Sequence, residues 1–397
     1  MTRIQQLIEK YFEKMVEYRR HIHMYPEVGL QEKETAKYIA EQLRAMGLEP
    51  QENIGGYGVV AVIEGGKGPG KCIGLRADTD ALPIEEKTGL PFSSKNPGVS
   101  HACCHDMHVA MLLGAAHVLL EMKDEFAGCV KLVFQPAEEW VLCGGAIDMI
   151  RDGVMENPHV DAMIAQHIDP FNVVGKVGMR CGPTTSSTDR LFLTIKGRSC
   201  HGSNPQNGID GVLAASHIVT TLQSIVARNV DPTESVVVTF GTIHGGERYD
   251  ILAKEVKLEG TYRTHSNEWR EKVPQYVEKI AKGVCEAMGA DYEFEQKSGY
   301  PPLFNDPDMF ALVRDAAAAE IGMENIVFPP RPGMGGEDFA FFAQMVPGMY
   351  YNTGCRNPEI PVEETIPLHN NACNPNEKAM LTGVDVMVAS AISFLNK

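Results

Sequence analysis

Three apolar runs in this chain end on residues that can bind metals or move protons. Residues 129–134 (Cys-Val-Lys-Leu-Val-Phe) lead into Gln135-Pro136-Ala137-Glu138-Glu139, residues 162–166 lead into His167, and residues 72–76 are followed by Asp78 and Asp80. Runs of this length between helix-like stretches read as buried strands. Helical spacing recurs over residues 4–24, 108–122 and 145–151, and strand-like residues 58–63 add a further run. Alternation of this kind predicts an α/β layer structure, with helices covering a mostly parallel sheet. In such sheets ligands bind in the crevice outside the carboxyl ends of the strands, which is where Asp78, Asp80, Glu138, Glu139 and His167 fall.

From about residue 184 the order changes. Strand (191–195), helix (210–227), strand (235–243), strand (256–263), helix (269–288) and strand (292–296) form the βαββαβ sequence of a ferredoxin-like unit. The preceding Gly182-Pro183-Thr184-Thr185-Ser186-Ser187 reads as a linker. The expected organisation is a metal-binding catalytic domain, residues 1–183 and 299–397, interrupted by an inserted lid or dimerisation domain, residues 184–298. Helices near 308–321 and 377–395 flank His369 and return the chain to the first domain.

The donors themselves suggest a metal centre. Cys103 and His105 form a Cys-x-His pair able to face one ion from a tight loop, and His167 and His369 offer two more imidazoles. One thiolate, three imidazoles and a carboxylate are more than a tetrahedral ion needs, and suit two ions sharing a bridging ligand. Other readings remain open at this point. Cys103 and His105 also fit a structural zinc corner, and Glu138-Glu139 a solvated loop end. Glu337-Asp338 reads equally as an acidic pair at a helix N-terminus. His21, His23, His108, His159, His217 and His265 read as surface or capping residues.

Composition narrows the partners. With 36 Lys+Arg against 52 Asp+Glu the formal net charge is −16. A field of that sign repels phosphate backbones and no basic stripe offsets it, so nucleic acid is excluded as a partner. No stretch approaches the roughly 18 uncharged apolar residues of a membrane span. The first residues intersperse charges among apolar positions and lack a secretory core, and ten cysteines occur without a Cys-x-x-Cys pair. The expectation is a cytoplasmic protein with reduced thiols.

Taken together, these segments resemble the M20 family of metallopeptidases and amidohydrolases, in the branch of aminoacylase, hippurate hydrolase and indoleacetyl-amino acid hydrolase-like enzymes. The resemblance runs along nearly the whole chain through residues 19–27, 75–83, 101–106, 135–139, 197–210, 241–246, 335–339 and 367–370, in family order. It implies a binuclear site holding Zn2+ or Mn2+, with Cys103 bridging and His105, Glu139, His167 and His369 as the other ligands. Glu138 would be the general base, and Asp78 and Asp80 would support His105 or His167. His201 would stabilise the oxyanion, often in the partner subunit of a homodimer.

The implied reaction is cleavage of the amide bond of a small N-acyl amino acid or related amide. Departures from the family pattern bear on the site. Cys104 stands where a glycine is usual and leaves a second thiol beside the metals, and Gln206 stands where a histidine is frequent. Asp250 replaces an asparagine that, with the arginine corresponding to Arg263, helps hold the substrate carboxylate; an aspartate would repel it unless Glu247 and Arg248 tie it into a local network. Two other classes stay in view: a thiol hydrolase using Cys103 or Cys104 with His105 as base, and a catalytically silent small-molecule-binding relative.

Overall fold

A computed structural model describes residues 1–140 and 144–397 and divides them into two compact units. The first comprises residues 1–184, 304–332 and 338–397, and the second residues 185–303 and 333–337.

The first unit is built on an eight-stranded sheet, in the order Gln51–Ile54, Gly58–Glu64, Cys129–Gln135, Cys72–Asp78, Ala162–Val173, Gly348–Arg356, Val177–Met179, Ile326–Val327. Its centre is parallel: Cys72–Asp78 pairs in that sense with both Cys129–Gln135 and Ala162–Val173, and the latter with Gly348–Arg356. Antiparallel pairs lie towards one edge and between Gly348–Arg356 and Val177–Met179. Both central strands Cys72–Asp78 and Cys129–Gln135 are buried at every position, as expected of parallel strands covered on both faces. Even Lys131 is buried, its ammonium donating to the carbonyls of Val154, Glu156 and Pro158 at 2.8 Å each.

Helices Arg3–Met24, His105–Glu121 and Ala379–Leu395 pack on one another around this core. Thr2 and Gln5 close a capping box at the start of the first. His105–Glu121 is apolar nearly all round and almost wholly buried, which is why its first turn can hold functional groups away from water. Helix Lys33–Ala45 and strand Gly348–Arg356 had no counterpart in the sequence reading.

In the second unit, strands Asp291–Lys297, Asp189–Lys196, Glu255–Thr264 and Val236–Gly245 form an antiparallel sheet in that order. Alternate residues of Asp189–Lys196 are buried, so one face is covered, and helices Gly211–Ser224 and Asn267–Met288 supply the apolar cover. Residues 299–303 and 333–337, expected in the catalytic part, cluster here instead. The reason is local bonding: the Gly335 carbonyl accepts the Ser186 N–H at 2.9 Å, and the Met334 carbonyl accepts from Arg263 at 3.1 Å. Among the described residues no helix is long and apolar enough to cross a membrane.

Candidate metal centre

Four separate segments of the first unit bring their donors together. Cys103 and His105 flank the start of helix His105–Glu121, and Cys104 between them takes a left-handed conformation, φ 66°. That is the geometry glycine adopts most cheaply, so a cysteine here carries backbone strain. Strand Cys129–Gln135 ends just before Pro136, and Ala137, also left-handed at φ 57°, turns the chain so that Glu138 and Glu139 enter the same pocket. His167 lies inside strand Ala162–Val173; the expectation that the strand stops before it is incorrect, because pairing with Gly348–Arg356 carries the strand on. His369 is the third non-glycine residue of the site with positive φ, 59°, and its N–H bonds to the Ala102 carbonyl at 2.8 Å. Backbone strain of this kind persists where the surroundings over-determine it, and it clusters at functional sites.

The side chains converge closely. Cys103 Sγ lies 3.4 Å from His167 Nε2 and 3.3 Å from His369 Nε2. Glu139 Oε1 sits 3.0 Å from His369 Nε2, and Glu138 Oε2 lies 4.0 Å from His105 Nε2. The donor atoms form two trios, Cys103/His105/His167 and Cys103/Glu139/His369, each with all atoms within 4.8 Å of one another, and Cys103 belongs to both.

Carboxylates behind the donors orient them. Asp80 Oδ1 faces His105 Nδ1 at 3.2 Å, while its Oδ2 accepts the Glu139 N–H at 2.9 Å, so one side chain fixes two candidate ligands. Asp78 acts at greater remove. It accepts from Arg76 at 2.7 Å and meets His108 Nδ1 at 2.5 Å, and His108 Nε2 accepts the N–H of Ile168, next to His167, at 3.0 Å. His108 is therefore buried inside the site, and the reading of it as a surface residue is wrong. Its spacing three residues after His105 on one helix face was the available signal. His23 is likewise buried, bonded at 2.8 Å to Asp106, which also accepts from Arg19 at 2.8 Å; this network ties the first helix to the residue after His105.

Protonation follows from these contacts. His167 Nδ1 donates to the Ile168 carbonyl at 2.8 Å, leaving the Nε2 lone pair toward Cys103, and burial, with the neighbouring His108, lowers its pKa to about 3. Burial alone would lower His105 too, but Asp78 and Asp80 outweigh it and raise its pKa to about 10. Burial also opposes ionisation of Asp78, yet His105, His108 and Arg76 hold its carboxyl well below the usual range. The pocket is thus arranged to hold positive charge. Cys103 points the same way: burial, then Glu139 and Glu138, push its thiol well above the ordinary value, so its thiolate form requires a cation beside it. That argues against the thiol-hydrolase alternative, which needs a lowered thiol pKa. His105 Nε2 is buried and has no hydrogen-bond partner. An unsatisfied buried nitrogen and a mixed sulfur, nitrogen and oxygen set fit divalent metal ions.

Cys104 does not join the donors. Its Sγ turns the other way and lies 3.4 Å from Cys373 Sγ, so it is not a second thiol facing the metal pocket. Asp338 stands at the N-terminal end of helix Phe339–Ala343, as expected, but its carboxylate makes no capping bond there and instead accepts from Arg76 at 2.7 Å and Gln135 at 2.7 Å.

The remaining sequence candidates belong to the second unit. His201 is exposed, and its Nδ1 accepts the Ser203 N–H at 3.1 Å, which leaves Nε2–H as a donor. Asp250 pairs with Arg248 at 2.8 Å rather than with Arg263.

Comparison with known proteins places these features in context. The sequence profile described as peptidase family M20/M25/M40 matches residues 74–393. The N-acetyl-L-cysteine deacetylase of Bacillus subtilis is 40% identical over 359 residues, 89% of this chain and 84% of that protein. Thermostable carboxypeptidase 1 of Saccharolobus solfataricus is 37% identical over 385 residues, 96% of each chain. Among solved structures, a dinuclear metal-binding peptidase of the M20 family from Bacillus subtilis superposes with a TM-score of 0.83 at 31% identity, covering 98% of this chain and 99% of that one.

Proposed function

The chain belongs to peptidase family M20/M25/M40 and is a metal-dependent amide hydrolase, and from that premise we propose that it cleaves the amide bond of a small N-acyl amino acid or related amide. The observation that carries this reading is the pair of donor trios sharing Cys103, with Glu138 at their edge. Cys103, His105, Glu139, His167 and His369 would hold two divalent ions, zinc or manganese. Such ions supply polarisation of the scissile carbonyl and a water whose pKa falls to roughly 7.

This chain's own groups do the rest. Glu138, 8% exposed, takes the proton of the attacking water and delivers it to the leaving nitrogen. Asp80 keeps His105 in the tautomer that offers Nε2 and holds the Glu139 backbone in place. His201 Nε2–H donates to the oxyanion of the tetrahedral intermediate, and Arg263 holds the substrate carboxylate. The relatives named for deacetylating N-acetyl-L-cysteine and for carboxypeptidase action both work on amide bonds of amino acids, which supports this substrate class.

A homodimer completes the proposal. Strand Val236–Gly245 is an edge of its sheet, with Val237 and Ile243 exposed. An apolar edge invites a second strand. Light scattering should give twice the chain mass, and a monomeric chain of full activity would remove this part. Its free cysteines suit a reducing compartment, the cytoplasm.

The deciding experiment assays N-acetyl, N-benzoyl and long-chain N-acyl amino acids with their amides, after chelation and after restoring zinc or manganese. Activity lost to chelator and returned by one metal is the expected result. Hydrolysis indifferent to chelation would overturn the reading in favour of thiol chemistry, and silence with metal bound would leave the binding-protein alternative.

A further inference from the structure

We propose that Cys104 and Cys373 are an oxidation site, a thiol pair that peroxide converts to a disulfide across two of the loops that carry metal donors. The two Sγ atoms lie 3.4 Å apart, in van der Waals contact, and both residues are buried. They are far apart in sequence but come from adjoining loops of one unit: Cys104 sits between Cys103 and His105, and Cys373 lies four residues after His369. The His369 N–H already bonds to the Ala102 carbonyl at 2.8 Å, so the loops are in register before any oxidation.

Access is the second observation. Cys373, together with Cys355, lines a cavity of about 560 Å3 whose wall includes the exposed Ile360. A small neutral oxidant can enter there and meet Cys373 first, while Cys104 waits behind it. In the first step the Cys373 sulfur attacks hydrogen peroxide, forming an S–O bond, breaking the O–O bond and releasing water as the thiol proton is lost. In the second, the Cys104 sulfur attacks the sulfenic sulfur, the S–S bond forms, and the hydroxyl leaves with the Cys104 proton as a second water. Two thiols are oxidised by two electrons and one peroxide is reduced.

The bond has a consequence for the neighbouring donors. A disulfide holds its sulfurs at about 2.05 Å, so the pair must draw together by more than 1 Å from its present contact. Cys104 is flanked on both sides by candidate ligands and already occupies a left-handed conformation, φ 66°, so little slack exists to absorb the movement. Oxidation therefore displaces Cys103 and His105 and loosens the metals. This last step rests on the metal reading above, whereas formation of the disulfide does not.

The test exposes the metal-loaded full chain to graded hydrogen peroxide, blocks free thiols under acid, and maps peptides by mass spectrometry alongside bound metal. The expected result is a linked Cys104–Cys373 peptide, a several-fold fall in bound metal, and reversal of both by dithiothreitol. Cys373→Ser should retain its metal in peroxide. Cys104→Gly, cheap at this φ, should do the same and keeps the test decisive if the serine variant folds poorly. Oxidation found at Cys103 while Cys104 and Cys373 remain free thiols would overturn the proposal. So would a linked peptide forming with bound metal unchanged, since the pair would then not act on the site. The peptide readout needs no substrate, so it separates failure here from failure of the proposed reaction.

Discussion

Glu32 and Ala137 are joined across the first unit by a 2.6 Å hydrogen bond, in which the Glu32 carboxyl accepts the Ala137 N–H. Ala137 is the left-handed residue that turns Glu138 and Glu139 into the candidate metal pocket, so a side chain far away in sequence holds the angle of the proposed general base. Burial, and then the charge of Asp80, raise the Glu32 pKa to about 8, so the acid is neutral at ordinary pH. Glu32→Gln should therefore keep most activity, because the amide carbonyl still accepts the same bond. Glu32→Ala removes it and should lower kcat roughly tenfold, a loss of about 1.4 kcal/mol. Equal activity in the two variants would show that the bond does not position Glu138.

The carboxylates at the site should separate by role. Glu138→Gln is expected to lower kcat by about 10²–10⁴ while bound metal stays constant, the range for loss of general base catalysis. Glu139→Gln should instead reduce bound metal. Metal analysis beside steady-state kinetics checks both, and a Glu138→Gln chain with normal kcat would dismiss the assignment.

Asp80→Asn tests the orienting shell. The amide can still accept the Glu139 N–H but no longer offers His105 a charged partner. Metal affinity should fall roughly 10–100-fold, the usual cost of such a loss. Competition with a chromogenic chelator measures it.

Stability should depend on pH through His23. Burial would lower its pKa, but Asp106 and Glu86 raise it to about 9. A raised histidine contributes stability that is fully present below its unfolded value of about 6.5 and is lost as pH rises through the folded value. The unfolding midpoint should therefore fall between about pH 6.5 and 9, and His23→Gln should flatten that slope. A parallel slope in the variant would assign the effect elsewhere.

Substrate choice bears on Asp250. Its partner Arg248 cancels part of the repulsion expected against a substrate carboxylate. Asp250→Asn should raise kcat/KM for N-acyl amino acids relative to their amides by a few-fold, since the pair is partly exposed and screened. An unchanged ranking would mean that Asp250 serves only its pairing with Arg248.

Much of the candidate site was legible as residues, and less of it as relationships. Cys103, His105, Glu138, Glu139, His167 and His369 stand out because each is a strong ligand or base at the end of an apolar run or in a short motif. His108 was misread because, although its spacing from His105 put both on one helix face, nothing local shows that Asp78 meets its Nδ1 and that Ile168 donates to its Nε2. Glu32 carried no signal at all, since its partner is a backbone N–H more than a hundred residues away. Cys104 was visible as a departure from pattern, but its direction depended on Cys373.

The sequence by itself determined the periodicities, and through them most of the strands and helices, the α/β class and the βαββαβ order, because these rest on hydrophobic alternation within a few residues; helix Lys33–Ala45 and strand Gly348–Arg356 escaped it. Tertiary structure alone decided that His167 lies inside a strand, that residues 333–337 bond to the second unit, that Asp80 serves both His105 and Glu139, and that Cys104 faces away from the metal donors. Each of those outcomes depends on the register between strands and on backbone angles such as the φ of 57° at Ala137. They place side chains to within an ångström only after the whole sheet has closed, and no local stretch of sequence encodes them.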